Sequence, residues 1–161
     1  MYQNFSHLFK TRKFTPFFTT QFLSAFNDNL FKFALVLFLK FQMTDLSGEQ
    51  TAQLTTIAAG LFILPFFLFS ALAGQLADKY EKSYLIRIIR FAEIPLMILA
   101  AVGFYLESAT FLLGVLFLMG TKSAFFGPLK YSLLPEHLKK SELIAANGLI
   151  EMATFVSILI G

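Results

Sequence analysis

The chain of 161 residues contains no cysteine and no tryptophan, and only two of its residues are histidine. The absence of cysteine excludes a disulfide framework and a thiolate metal site. The two histidines, His7 and His137, lie in polar segments, and the sequence has no glycine-rich phosphate loop, HExxH motif or GxSxG motif. We therefore expect no enzyme activity, no cofactor and no metal.

Charge is also scarce. Charged residues make up 14% of the chain and hydrophobic residues 57%, with 22 phenylalanines among them, whereas an average soluble domain is roughly 25% charged. A soluble domain could not cover so much apolar surface, so the composition predicts an all-α protein embedded in a membrane. The phenylalanines fit ordinary packing against lipid.

Five apolar segments are long enough to cross a bilayer, whose core of about 30 Å requires about 20 helical residues. The second segment has no charged residue, whereas the third and fourth carry charges. The last segment runs to the end of the chain, so we expect a truncated N-terminal part of a longer helical bundle. The predicted spans cover residues 16–41, 54–76, 84–106, 109–133 and 142–161.

Lysine and arginine are concentrated in the N-terminal segment and in every second connection between these spans. All of these segments lie on the same side of the membrane. The connectors "MTDLSGEQT" and "LESAT" contain acids and no basic residue, and only Lys40 departs from the pattern. The positive-inside rule therefore places the N-terminus and the second–third and fourth–fifth connections in the cytoplasm. Because the short basic segments follow this rule, we expect no nucleic-acid partner. These segments contain Lys10, Arg12, Lys13, Lys79, Lys82, Lys130, Lys139 and Lys140.

The first span contains a polar band formed by Asn27, Asp28, Asn29 and Lys32. A charge at the bilayer centre costs about 2.5–3.5 kcal/mol, so such residues face other helices or water. Asp28 and Lys32 are four residues apart on one helix face, and an ion pair that merely neutralises both is one interpretation. The two asparagines make the band broader than neutralisation requires. We therefore favour the wall of a water-filled cavity.

Lys122 lies in the fourth span, and its depth depends on where that helix ends. If the helix continues through Gly127 and Pro128 to about Leu133, Lys122 lies near the membrane midplane, level with Asp28. If the helix ends at Gly127, Lys122 lies nearer the cytoplasmic face.

Two further polar pairs lie within predicted spans. Arg90 and Glu93 are three residues apart and are expected to form an ion pair, which need not be functional. Asn147 and Glu151 share a helix face beside small residues, where an amide can form hydrogen bonds between closely packed helices.

The segment "GQLADKYEK" between the second and third spans resembles the G-x-L-a-D-[RK]-x-G-[RK] signature of the major facilitator superfamily. The family carries this signature in the same cytoplasmic loop. Glu81 stands where the family usually has glycine. The matching residues are Gly74, Leu76, Asp78, Lys79 and Lys82.

Three segments together resemble the bacterial lysophospholipid transporter branch of that superfamily, and the similarity runs over nearly the whole chain. They are "QFLSAFNDNLFKFALVLFL", "FGPLKYSLLPEHL" and "AANGLIEMATFVSILIG". The matching residues are Gln21, Phe22, Leu23, Ala25, Phe26, Asp28, Asn29, Lys130, Tyr131, Asn147, Gly148, Leu149 and Glu151.

The resemblance implies a fold of twelve helices in two halves, with alternating access to a cavity lined chiefly by helices one, four, seven and ten. It implies a lysophospholipid substrate, the bacterial inner membrane with its lipids, a C-terminal half that this chain lacks, and an acyltransferase–acyl-ACP synthetase as a further partner. The expected substrate-binding residues are Asn27, Asp28, Asn29, Lys32 and Lys122, and the expected gating residues are Gly74, Asp78, Lys79, Lys82, Lys130, Asn147 and Glu151.

Two alternatives stay open. One is a superfamily member that carries a small polar or drug-like solute, with Asp28 as a proton or cation site. The other is a membrane anchor fused to a lipid-modifying enzyme.

Overall fold

The computed structural model describes residues 8–9, 14–41, 47–138 and 142–161, with the backbone alone at 136 and 137. No described residue lies in a strand, so the predicted all-α class is confirmed. Outside the described residues lie His7 and most of the predicted cytoplasmic basic residues, namely Lys10, Arg12, Lys13, Lys139 and Lys140. The helices are α1 (Phe14–Phe41), α2 (Gly48–Lys79), α3 (Lys82–Tyr105), α4 (Ala109–His137) and α5 (Leu143–Ile160).

Each helix overlaps one of the five apolar segments of the sequence. Among the described residues, α1, α2, α4 and α5 are long and apolar enough to cross a membrane. Helix α3 is not among these four, and its assignment as a span remains a prediction. Large apolar side chains are also exposed along the helices, with Phe67, Ile144 and Leu159 each more than four-fifths accessible. Such side chains suit a surface in contact with lipid.

Helix α2 begins six residues before the predicted span because Ser47 forms a capping box. The Ser47 hydroxyl accepts a hydrogen bond from the Gln50 backbone N–H at 3.3 Å, and the Gln50 side chain accepts one from the Ser47 N–H at 2.9 Å. Two N–H groups that the helix cannot satisfy are thereby paired.

Three helices continue through prolines, one of them α3 at Pro95. Pro65 lies inside α2 and is fully buried, and α4 runs as one helix through Pro128. A proline removes one backbone hydrogen bond, a loss that membrane helices tolerate where neighbouring groups compensate. The continuity of α4 places Lys122 near the middle of the helix, which meets the first of the two conditions set out for its depth.

The turn between α3 and α4 is tight. Glu107 has a φ of 50°, in the left-handed region, and the Ser108 hydroxyl accepts a hydrogen bond from the Phe111 N–H at 3.3 Å. A Cβ at Gly103 would lie 2.7 Å from the Leu112 side chain, so glycine permits the close approach of the two helices.

Contacts within the chain define two compact units. One comprises residues 31–130, and its core is formed by apolar side chains from the second half of α1 and from α2, α3 and α4. Their buried members are Phe31, Leu35, Leu39, Ala58, Leu96, Ala100, Leu112, Val115, Leu116 and Met119.

The other unit comprises residues 1–30 and 131–161. Within it, α5 packs on the first half of α1 through small residues, and the Ser157 hydroxyl donates a hydrogen bond to the Phe22 carbonyl at 3.1 Å. Its apolar cluster contains Leu8, Phe14, Leu134, Ala146, Leu149 and Ile150.

Candidate functional site

The polar band of α1 is partly buried. Asp28 lies at the middle of the helix and is 8% exposed, whereas Asn27 and Asn29 are half-buried. The Asn29 side-chain amide donates a hydrogen bond to the Ala25 carbonyl at 2.7 Å, within its own helix. That donor is therefore already engaged, and the band offers fewer open polar groups than its composition indicates.

Gln21 and Ser24 extend the band toward the start of α1. Both are 8% exposed, as Asp28 is. Because they lie seven and four residues before Asp28, the three side chains share one helix face. In the sequence, Gln21 belongs only to the family pattern, and Ser24 is not among the expected site residues. Their spacing of seven and four residues from Asp28 is the feature of the sequence that could have identified both as part of the polar band.

Lys32 lies in the unit of residues 31–130 and is half-buried. Its Nζ atom is 4.5 Å from the centre of the Phe62 ring on α2. An aromatic face attracts a cation, which lowers the free-energy cost of holding the ammonium group among apolar helices.

Lys122 forms an ion pair that the sequence analysis did not identify. It is 7% exposed, and its Nζ atom lies 3.4 Å from Oε1 of Glu93 on α3. The expected pair between Arg90 and Glu93 is confirmed, with 3.6 Å between Nη1 and Oε2. The Arg90 guanidinium also lies 4.3 Å from the centre of the Phe126 ring. Two cations from two helices thus share one carboxylate.

A cleft of about 500 Å³ lies beside this cluster, within the unit of residues 31–130. Its walls come from the end of α2, most of α3 and the second half of α4. Lys122 lies in the cleft wall, together with apolar residues such as Ala73, Ala92 and Leu129. The volume falls within the range of about 300–1,000 Å³ that is typical of small-molecule sites.

The predicted signature spans the end of α2, the two-residue connection and the first residue of α3. Asp78 and Lys79 are exposed, and Lys82 is half-buried at the first position of α3. Glu81 has a φ of −63°, which any L-residue adopts, so this turn does not require the glycine that the family usually has there. A Cβ at Gly74 would meet no described atom within 4 Å, so no close approach requires glycine at that position.

Three further expected gating residues, Lys130, Asn147 and Glu151, are each at least partly buried. Lys130 is 7% exposed, and the Tyr131 hydroxyl donates a hydrogen bond of 2.7 Å to Oε1 of Glu151. The Asn147 side-chain oxygen is buried and has no hydrogen-bond partner among the described residues. In the sequence, Tyr131 matches the family pattern but is not among the expected site residues, and its contact with Glu151 was not foreseen.

The expected substrate-binding residues are divided between the two units. Asn27, Asp28 and Asn29 belong to one, and Lys32 and Lys122 to the other. A shared site for all five remains a prediction. In the described part of the chain, no group of three potential metal ligands comes together.

Comparison with known proteins identifies the family. Residues 8–161 match the family model described as Major Facilitator Superfamily. The chain is 34% identical over 142 residues to the lysophospholipid transporter LplT of Escherichia coli O1:K1 / APEC, an alignment that covers 88% of this chain and 32% of that protein. The same values hold for LplT of Escherichia coli K12 / DH10B and of Shigella boydii serotype 18.

The chain thus spans about a third of the length of these curated relatives. No solved structure matches it. The family match covers nearly the whole sequence and agrees with the helical fold and with the signature between α2 and α3. The chain therefore belongs to the major facilitator superfamily.

Proposed function

We propose that this chain forms part of a transporter that moves lysophospholipids across the bacterial inner membrane by alternating access. The similarity to LplT over 88% of the chain is the observation that carries the proposal. The buried charges at the middle of α1 and α4 support it, because ionisable residues inside membrane spans usually lie on a substrate or ion pathway.

The lipid headgroup is proposed to contact the polar residues of α1 and α4. Asp28 is an anion suited to the ammonium group of a lysophosphatidylethanolamine, and Lys122 is a cation suited to the phosphate. Asn27 and Asn29 supply neutral hydrogen-bonding groups beside Asp28, and Lys32 supplies a second cation.

Charge pairs near the cytoplasmic ends of the helices are proposed to open and close the cavity. Asp78 and Lys130 would pair differently in the inward-open and outward-open states, as would Glu151, whose carboxylate already accepts a hydrogen bond from Tyr131. The remaining proposed gating residues are Gly74, Lys79, Lys82 and Asn147.

We place the N-terminus in the cytoplasm, from the distribution of lysine and arginine in the sequence. The proposed partners are a C-terminal half of six helices and an acyltransferase–acyl-ACP synthetase that re-acylates the imported lipid. The alternating-access mechanism requires both halves, because one bundle rocks against the other around the site.

The experiment measures uptake of radiolabelled lysophosphatidylethanolamine into proteoliposomes that contain the complete protein. Replacing Asp28 by Asn keeps the size of the side chain and removes its charge, so uptake is expected to fall while membrane insertion stays unchanged. Glu49→Gln is the matched control, because Glu49 is an exposed carboxylate in the first turn of α2 and is expected to leave uptake unchanged. Normal uptake by Asp28→Asn would remove Asp28 from the site, and no uptake by the unmodified protein would refute the function.

A further inference from the structure

The cleft between α2, α3 and α4 combines an apolar volume with one cationic group. Twelve of its fourteen lining residues are apolar, and the other two are Thr121 and Lys122. An apolar wall with a single charged group suits a ligand that has a long apolar part and a compact anion. A phospholipid with its phosphate has this chemistry.

The ion pair of Lys122 is arranged so that it can be exchanged. Lys122 contacts Oε1 of Glu93 and Arg90 contacts Oε2, so the two cations use different oxygens of one carboxylate. Breaking a buried ion pair usually costs about 3–5 kcal/mol because one charge is left unpaired. If Lys122 leaves Glu93, however, the carboxylate keeps Arg90 as its partner.

The two cations differ in their freedom to move. The Arg90 guanidinium lies over the Phe126 ring, and Arg90 is three residues from Glu93 on the same helix. Its position relative to Glu93 is therefore set by that helix. Lys122 reaches Glu93 from another helix with a flexible four-carbon stem, and lysine binds phosphate as a point charge. Lys122 is therefore the cation that can turn to a new anion.

We propose that this cleft holds the acyl chain of the transported lysophospholipid, and that the lipid phosphate replaces Glu93 as the partner of Lys122. Glu93 remains paired with Arg90 during the exchange and recovers Lys122 when the lipid leaves. The proposal rests on the proposed function, which supplies a single-chain phospholipid as the occupant. Charge complementarity between Lys122 and the phosphate argues for this occupant over an uncharged helix of the same protein.

The first test locates the acyl chain. The complete protein in proteoliposomes is irradiated with a lysophosphatidylethanolamine that carries a diazirine at the end of its acyl chain, and the labelled residues are identified by mass spectrometry. We expect label on cleft residues of α3 and α4, such as Ala92 and Leu118, and its loss when excess unlabelled lysophosphatidylethanolamine is added. Equal loss with a diacyl phospholipid would indicate bilayer lipid in the cleft, and no label there would indicate a covering protein segment. Either result would overturn the proposal.

A pair of variants on α3 tests the cleft without altering any charge. Ala92 lines the cleft and Ala101 does not, and both alanines are exposed. Ala92→Phe is expected to fill part of the cleft and raise the KM for lysophosphatidylethanolamine about tenfold, from the usual cost of overpacking. Ala101→Phe is the control and is expected to leave the KM unchanged. Equal KM values for the two variants would count against the cleft.

Glu93→Gln tests the exchange, because the two roles for Glu93 predict different changes in the KM for lysophosphatidylethanolamine. If Glu93 competes with the phosphate for Lys122, the variant has a lower KM and a lower kcat, because binding is easier and release is slower. If Glu93 only stabilises the fold, KM does not fall.

Added lysophosphatidylethanolamine should also raise the melting temperature of Glu93→Gln more than that of the unmodified protein, since the phosphate then supplies the missing anion. If the unmodified protein transports no lysophospholipid, the proposed function fails as well; if it transports but the cleft tests fail, only this inference is refuted.

Discussion

Replacing Gly120 by Ala should force α2 and α4 apart. A Cβ at Gly120 would overlap the carbonyl oxygen of Phe62 and would lie 3.2 Å from the Phe62 Cα atom. These are backbone atoms of a continuous helix, so no side-chain rotation can relieve the overlap and one helix must shift. Overpacking of this kind costs about 1–3 kcal/mol. The higher helix propensity of alanine, worth up to about 1 kcal/mol, recovers part of that cost.

Thermal unfolding of the complete protein in detergent measures the effect, and Gly114→Ala is the matched control. Gly114 lies on the same helix, and a Cβ there would meet no described atom within 4 Å. The control should therefore gain helix propensity without overlap and melt at the same temperature as the unmodified protein or higher. We expect Gly120→Ala to melt below both. A melting temperature for Gly120→Ala equal to that of the control would refute the close approach of α2 and α4.

Two further substitutions test the contacts near α5. Tyr131→Phe removes the hydroxyl that donates to Glu151 and should lower stability by about 0.5–1.5 kcal/mol, since the tyrosine is half exposed; an unchanged melting temperature would contradict this hydrogen bond. Asn147→Leu removes a buried oxygen without a partner among the described residues, so the melting temperature should stay the same or rise. A clear fall in that temperature would show that the Asn147 amide has a partner in the complete protein.

The sequence predicts the helices well because their apolar runs are long. The predicted span begins at Leu54, whereas the helix that contains it begins at Gly48, after a Ser47-x-x-Gln50 capping box that can be recognised from sequence. The sequence did not decide where α4 ends, because the helix could stop before Pro128 or continue through it. A proline ends a helix in water, whereas in α4 the helix continues for nine residues to His137.

The site is predicted less completely, for a physical reason. Arg90 and Glu93 lie on one helix, so their spacing alone predicts the pair. The contact between Lys122 and Glu93 joins two helices and depends on how each is rotated and packed. Hydropathy does not specify that rotation. For the same reason, the cleft could not be foreseen from the sequence, since its walls come from three helices.

The close approach at Gly120 and the cleft are connected through α2 and α4. Moving toward the C-terminal ends of both helices, Phe62 lies against Gly120, and the Phe69 and Phe125 rings then stack at 5.8 Å. Phe125 itself lines the cleft. A shift of either helix at the first contact is therefore expected to change the spacing at the later ones, because α2 and α4 are each continuous from one contact to the next. Lys122 lies only two residues after Gly120, so the same shift should alter its distance to Glu93. If the proposed lipid site is correct, Gly120→Ala should raise the KM for lysophosphatidylethanolamine even at temperatures where the protein remains folded, and Gly114→Ala should not.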